Sequence, residues 1–313
     1  MKRLLYGFLF FTLLLTVLSG GLYAWFQVLT PHGPGRDFRF LSGGVPAKAP
    51  RFEKTEGIAA DPPEQNAGHA AKAESRPAKE PARQSRMPKA QAKRPLAAII
   101  IDDIGDSREM AKKFFALNAP FTYSILPHTR YPAEIANAAN RRGYQVMLHL
   151  PMEPNGYPAM DPGPGALLTS MTPDERIRQL QLNLNAVPHV DGVNNHMGSK
   201  MTAMFDQMNQ IFTVLKKREL FFVDSRTTAA SQCRSAARLF DLPFAERDVF
   251  LDHKLQQKFI SRQIEEFIRI AELKGEAIAI GHPHQVTYEV LAEALPKLRH
   301  RLSLVPVSRL VKS

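Results

Sequence analysis

Two carboxylates stand side by side, Asp102 and Asp103, directly after the unbroken apolar run Leu96-Ala-Ala-Ile-Ile-Ile101. Such a run, uncharged and rich in β-branched residues, reads as a strand covered on both faces. At the C-terminal end of a buried parallel strand, the pair faces the crevice in which α/β proteins place their chemistry. Neighbouring carboxylates repel, so a site that keeps both needs a cation, a shared proton or access to water. A plain strand-to-turn junction, with Asp106 capping the next helix, competes with this reading, but turns seldom need two acids directly after a buried run.

The same placement recurs along the chain. Apolar runs end in His149, in Asn195-His196, in Asp224-Ser-Arg226 and in His282-Pro-His284. In a parallel barrel these ends share one rim, so residues far apart in sequence become neighbours. A set of Asp, His, His and Glu suits a borderline divalent ion such as zinc, with three protein ligands and a position left for water. No short-range zinc signature is present, and the specificity lies in the constellation. His128, His189, His253 and His300 fall in loops or at helix ends and read as solvated or capping residues. Asp248 and Asp252 flank an apolar triplet and read as turn residues. Arg226 reads as paired with a carboxylate rather than free for substrate.

The elements that must position these residues alternate. Strands are expected at Phe121–Ile125, Gln145–His149, Val190–Asn195, Leu220–Asp224, Pro243–Val249, Ala277–Ile280 and Leu302–Val305. Helices are expected from Asp106, in a capping box with Glu109, to Leu117, and over Tyr131–Arg142, Thr172–Ala186, Thr202–Lys217 and Gln256–Lys274. Residues 150–171, dense in Pro and Gly, are too long for a passive connection and are expected to line the site. About eight strands with intervening helices suit an α/β architecture, a distorted (β/α) barrel, with an open doubly wound sheet as the rival.

The formal charge of +11 over 313 residues is unevenly spread. Residues 1–97 hold 15 Lys and Arg against 7 Asp and Glu, whereas residues 98–313 hold 26 against 23. The basic excess thus belongs to the N-terminal part, and the folded part carries no footprint of nucleic-acid binding. Leu4 to Leu29 is uncharged, long enough to span a bilayer, and preceded by Lys2 and Arg3, which hold that end in the cytoplasm. Residues 1–30 are therefore expected to be a transmembrane anchor, with a cleaved signal peptide as the alternative. Residues 31–95, rich in Pro, Ala and Lys, cannot bury enough surface to order themselves and read as a disordered tether with a span of roughly 45 Å. The single Cys233 rules out a disulfide within the chain. The folded domain, residues 96–313, is expected outside the cytoplasm, in the cell envelope, anchored to the inner membrane and periplasmic, or secreted if the signal is cleaved.

Taken together, Ile101-Asp-Asp-Ile-Gly105, His149-Leu-Pro-Met-Glu-Pro154, Asn194-Asn-His-Met-Gly-Ser199, Asp224-Ser-Arg226 and Gly281-His-Pro-His284 resemble the divergent branch of the polysaccharide deacetylases. The resemblance covers about residues 95 to 313 and implies a distorted βα barrel and metal-dependent removal of acetyl groups from a glycan. It implies Asp102 as general base, His282 as general acid, and Asp103 and His149 as metal ligands. Glu153 stands where the family pattern has its second His, and His196, at the end of the following strand, is the expected replacement. Glu153 and Asp224 are then expected to orient a His or Arg226, or to grip sugar hydroxyls, and Asn195, Arg226 and His284 to bind substrate or support the ligands beside them. The expected cofactor is a divalent ion, zinc by its donor set, and the expected partners are an acetylated glycan and, through the N-terminal segment, the membrane. Two further readings stay open: a catalytically silent barrel that binds glycan or a cell-wall enzyme, and a metal hydrolase of another amide.

Overall fold

A computed structural model of the chain describes residues 94–313. The expected membrane segment, and the tether up to residue 93, lie outside the described residues. Among the described residues no helix is long and apolar enough to cross a membrane.

The central element is β1 (Leu96–Ile104), and its side chains divide by parity. Ala98 and Ile100 pack inward with Met147, Val223, Ile278 and Ile280. Ala97, Ile99 and Ile101 pack outward among residues of the surrounding helices, such as Phe114, Ile135 and Phe267. Strand alternation thus serves two cores from one segment, which is why the sequence shows a continuous apolar run. Each fully buried Ile contributes about 1.5–3 kcal/mol.

Eight further strands follow: β2 (Thr122–Ile125), β3 (Gln145–Met152), β4 (Val190–Met197), β5 (Phe221–Asp224), β6 (Phe244–Glu246), β7 (Val249–Phe250), β8 (Glu276–Gly281) and β9 (Ser303–Leu304). All pair in parallel in the order β6-β5-β4-β3-β2-β1-β8-β7, with β9 beside the start of β1. The helices are α1 (Arg108–Ala116), α2 (Pro132–Asn140), α3 (Pro173–Ala186), α4 (Phe205–Lys217), α5 (Cys233–Phe240), α6 (Gln257–Lys274) and α7 (Gln285–Arg301). The capping box expected at Thr172 is present, with Thr172 Oγ1 accepting from the Glu175 amide. At α1 the cap is Ser107, not Asp106, whose carboxylate instead accepts from the Arg130 amide at 3.1 Å.

The strand expected at Pro243–Val249 is two strands, and its interruption closes the architecture. β6 and β7 stand at opposite ends of the pairing order, yet only Arg247 and Asp248 separate them in sequence. So short a link spans at most about 11 Å, and the sheet must curl until its ends face each other. Arg247 bonds the β5 side, its amide to Asp224 O at 3.0 Å and its Nε to Ser225 O at 2.7 Å. Asp248 bonds the β8 side, accepting from the Ile278 amide at 2.9 Å while its own amide donates to Ile278 O at 2.8 Å. No ladder joins β6 to β7 among the described residues, so the sheet is a curled, incomplete barrel with a seam stitched by two residues.

Candidate metal centre

The carboxylate pair is positioned by a β-bulge. Ile101 pairs with Tyr123 and Ile104 with Ile125, so Asp102 and Asp103 together oppose Ser124 alone. Plain alternation would send Asp102 into the barrel and Asp103 out among the helices. The extra residue, with Asp103 at φ 52°, lets both acids address the same mouth. Holding a non-glycine residue there costs on the order of 1–2 kcal/mol. Met197 (φ 52°) and Arg226 (φ 53°) are similarly placed, so the ends of three strands carry strained backbone on one rim. Gly105 completes the first turn, since a Cβ on it would lie 2.0 Å from Thr129 Oγ1.

Into that mouth β3 delivers His149 and β4 delivers His196. Asp103 Oδ1 lies 3.2 Å from His149 Nε2 and 3.0 Å from His196 Nδ1, and the two ring nitrogens are 3.2 Å apart. Ligand atoms of a tetrahedral zinc site are about 3.3 Å apart, close to the sides of this triangle. Asp103 Oδ1 is buried with no donor in hydrogen-bonding geometry, an orphan that only a cation or a proton would satisfy. His149 Nδ1 is taken by Asn194 Oδ1 at 2.8 Å, so in the neutral imidazole the Nε2 lone pair faces the centre of the triangle. Asp103, His149 and His196 therefore form a cluster able to hold a metal ion.

The surrounding charges follow from burial and proximity. Burial raises the Asp102 pKa, against the opposing charges of His149 and His282 and a 2.8 Å hydrogen bond from Asn194. Burial acts on Asp103 in the same direction, but the His149 and His196 imidazoles outweigh it and hold that carboxyl well below its usual range. Burial would lower the His149 pKa, and the Asp102 and Asp103 charges raise it instead. At the far side of the mouth, His282 Nε2 is 3.9 Å from Asp103 Oδ2, and its Nδ1 is 2.8 Å from Asp252 Oδ1. Against burial, the Asp252 carboxylate and the two site acids push His282 up to about 9.

Asp102, Asp103, His149, His196 and His282 thus come together, and the other expected residues do not join them. Glu153 neither coordinates nor orients a His or Arg226. Its carboxylate accepts from Lys200 Nζ at 2.6 Å and from the Thr169 amide at 2.5 Å, tying the 153–171 loop to the segment after β4. Those two donors lower its pKa against burial. Asp224 points outward by parity and accepts from the Arg226 amide at 2.7 Å and Ser231 Oγ at 2.6 Å, so it folds its own loop. Burial raises its pKa. Asn195 bridges β4 and β5 through the Ser225 amide and Met197 O. Arg226 pairs with Glu246 at 3.5 Å. His284 is exposed ahead of α7, its ring centroid 6.1 Å from that of His282.

Asp252, expected as a turn residue, is the clearest omission. Besides His282 Nδ1 it accepts from the His282 amide at 2.6 Å and Thr287 Oγ1 at 2.7 Å. The register of β7 on β8, Phe250 against Ile280, extends to 252 against 282, but a two-residue strand gives no sequence signal from which to read it. Asn194 is the other omission.

Comparison with known proteins agrees with this geometry. The profile of a family described as divergent polysaccharide deacetylase matches residues 99–311. An uncharacterized protein of Escherichia coli K12, YibQ, is 34% identical over 214 residues, 68% of this chain and 66% of that protein. The chain thus spans just under two thirds of that relative. An uncharacterized protein of Haemophilus influenzae Rd is 32% identical over 213 residues, 68% of this chain and 75% of that one. Among solved structures, the uncharacterized protein ATU2773 of Agrobacterium tumefaciens C58 superposes with a TM-score of 0.67 at 26% identity, covering 72% of this chain and 92% of that one.

Proposed function

The chain belongs to the divergent polysaccharide deacetylase family, and on that premise we propose that it is a metal-dependent hydrolase removing acetyl groups from a glycan of the cell envelope. The observation that carries the reading is the convergence of an acid pair, two imidazoles and a third, Asp-backed imidazole on one mouth. Asp103, His149 and His196 would hold a divalent ion, zinc by its donor set. Such an ion, when bound, supplies Lewis acidity to the acetyl carbonyl and lowers the pKa of water.

The chain's own groups divide the proton transfers. Asp102 keeps Oδ1 on Asn194 and has Oδ2 free, 3.7 Å from His149 Nε2, to take the proton of the attacking water. His282, protonated at neutral pH beside Asp252, gives its proton to the sugar nitrogen as the carbon–nitrogen bond breaks. Water oxygen bonds to the acetyl carbon as the carbon–nitrogen bond breaks, so acetic acid and the amine leave, the acid ionising in water, and solvent then returns the proton from Asp102 to His282. Location in the envelope, with residues 4–29 in the membrane, is part of the same proposal and rests on the sequence of that segment.

The test is metal content together with acetate release from acetylated oligosaccharides. The purified protein should hold close to one zinc or similar ion, and His149→Ala and His196→Ala should each lose it. Asp102→Asn should keep the ion and release acetate 10²–10⁴-fold more slowly. Full activity in Asp102→Asn would overturn the division of roles. A protein that takes up no ion and releases no acetate would favour the catalytically silent barrel, whose partner would be a glycan or a cell-wall enzyme.

A further inference from the structure

Asn194, in β4 and fully buried, has both ends of its amide committed. Oδ1 lies 2.8 Å from His149 Nδ1 and accepts from Ser124 Oγ at 2.5 Å. Nδ2 donates to Asp102 Oδ1 at 2.8 Å and reaches Ser225 Oγ at 3.4 Å. An amide oxygen only accepts and an amide nitrogen only donates. Turned over, this amide would set its oxygen against the Asp102 carboxylate, so the network permits one orientation. We infer that Asn194 is a positioning residue that couples the general base to the metal site, fixing the tautomer of His149 with one end and the accepting oxygen of Asp102 with the other.

The inference rests on the deacetylase reading for its catalytic half and on the geometry alone for its metal half. In the neutral, ligating form of the ring, an acceptor at His149 Nδ1 keeps the proton there and leaves the Nε2 lone pair facing Asp103 Oδ1 and His196 Nδ1. Outer partners of this kind orient a ligating imidazole and raise its basicity. His149 and Asn194 are also direct register partners across β3 and β4, so the contact is built into the ladder rather than held by a loop. On the other side, Asp102 cannot rotate without breaking the Nδ2 bond, which leaves Oδ2 as its one free oxygen. A single buried amide thus holds the proton acceptor and the ion ligand in fixed relation.

The test uses the full chain with Asn194→Leu, close to Asn in volume, and Asn194→Ala, which adds no bulk should Leu impair folding. Zinc affinity is measured by chelator competition, and kcat and KM on chitopentaose. Zinc affinity should fall 10–100-fold and kcat should fall further, with KM little changed. In metal-free protein at fixed pH, the sheltered Nδ1–H of His149 should give a downfield proton resonance that His149→Ala abolishes and both variants shift. A purely structural Asn194 would lower the melting temperature alone. Zinc affinity within twofold of wild type in both variants, with that resonance unmoved, overturns the inference. A wild-type protein that binds zinc but releases no acetate overturns the deacetylase reading, and the affinity comparison still decides the role of Asn194. If wild type binds no zinc, the metal reading falls and the resonance decides the tautomer assignment.

Discussion

Single residues here act through what holds them. In the proposed reaction His282 would serve as an acid only while Asp252 keeps its Nδ1 engaged and its charge favoured, and Asp252 is itself locked by the His282 amide and Thr287. Asp252→Asn keeps the size and removes the charge. It should cut acetate release at least tenfold with little change in KM, and leave zinc content intact, since no metal ligand touches Asp252. Unchanged kcat would show that His282 needs no carboxylate behind it. The residues that meet in the mouth could be read from the sequence because each follows an apolar run, and run ends share a rim. Asp252 could not, because its run of three residues looks like a turn. The partner of Glu153 could not be read either, because Lys200 stands 47 residues away and no local signal announces the pairing.

At the scale of elements, the long loop after β3 is held to the segment after β4 largely through Glu153. Its pKa is lowered in the fold, so its contribution to stability is present above the ordinary glutamate value of about 4.3 and is lost as pH falls through the lowered one. Glu153→Gln should destabilise by about 1–2 kcal/mol at pH 7, the Lys200 part being small because that lysine is half exposed. The deficit should shrink when unfolding is measured below pH 4, and a deficit independent of pH would contradict the pairing. The helix start at Thr172 was legible because its cap, proline and acidic first turn are all local signals. The division between β6 and β7 was not, because it depends on contacts across the seam that Arg247 and Asp248 make with strands distant in sequence.

For the whole molecule, an ion bound to the folded state alone adds RT ln(1 + [ion]/Kd), about 2.7 kcal/mol at a hundredfold excess over Kd. For a domain of this size that corresponds to roughly 5–10 °C in melting temperature. Zinc-loaded and chelator-treated protein that melt together would argue against the cluster as a metal site. The barrel class was legible in the alternation of runs and helices, whereas its failure to close was not, since openness is a property of two edges that no stretch of sequence contains. That openness has a definite place. The acid pair on β1, the two imidazoles on β3 and β4, and the third on β8 all stand on one uninterrupted arc of hydrogen-bonded strands, while the break lies between β6 and β7. The sheet is therefore a split ring whose gap falls outside the arc that carries its setting, and on the His282 side β7 alone stands between the two.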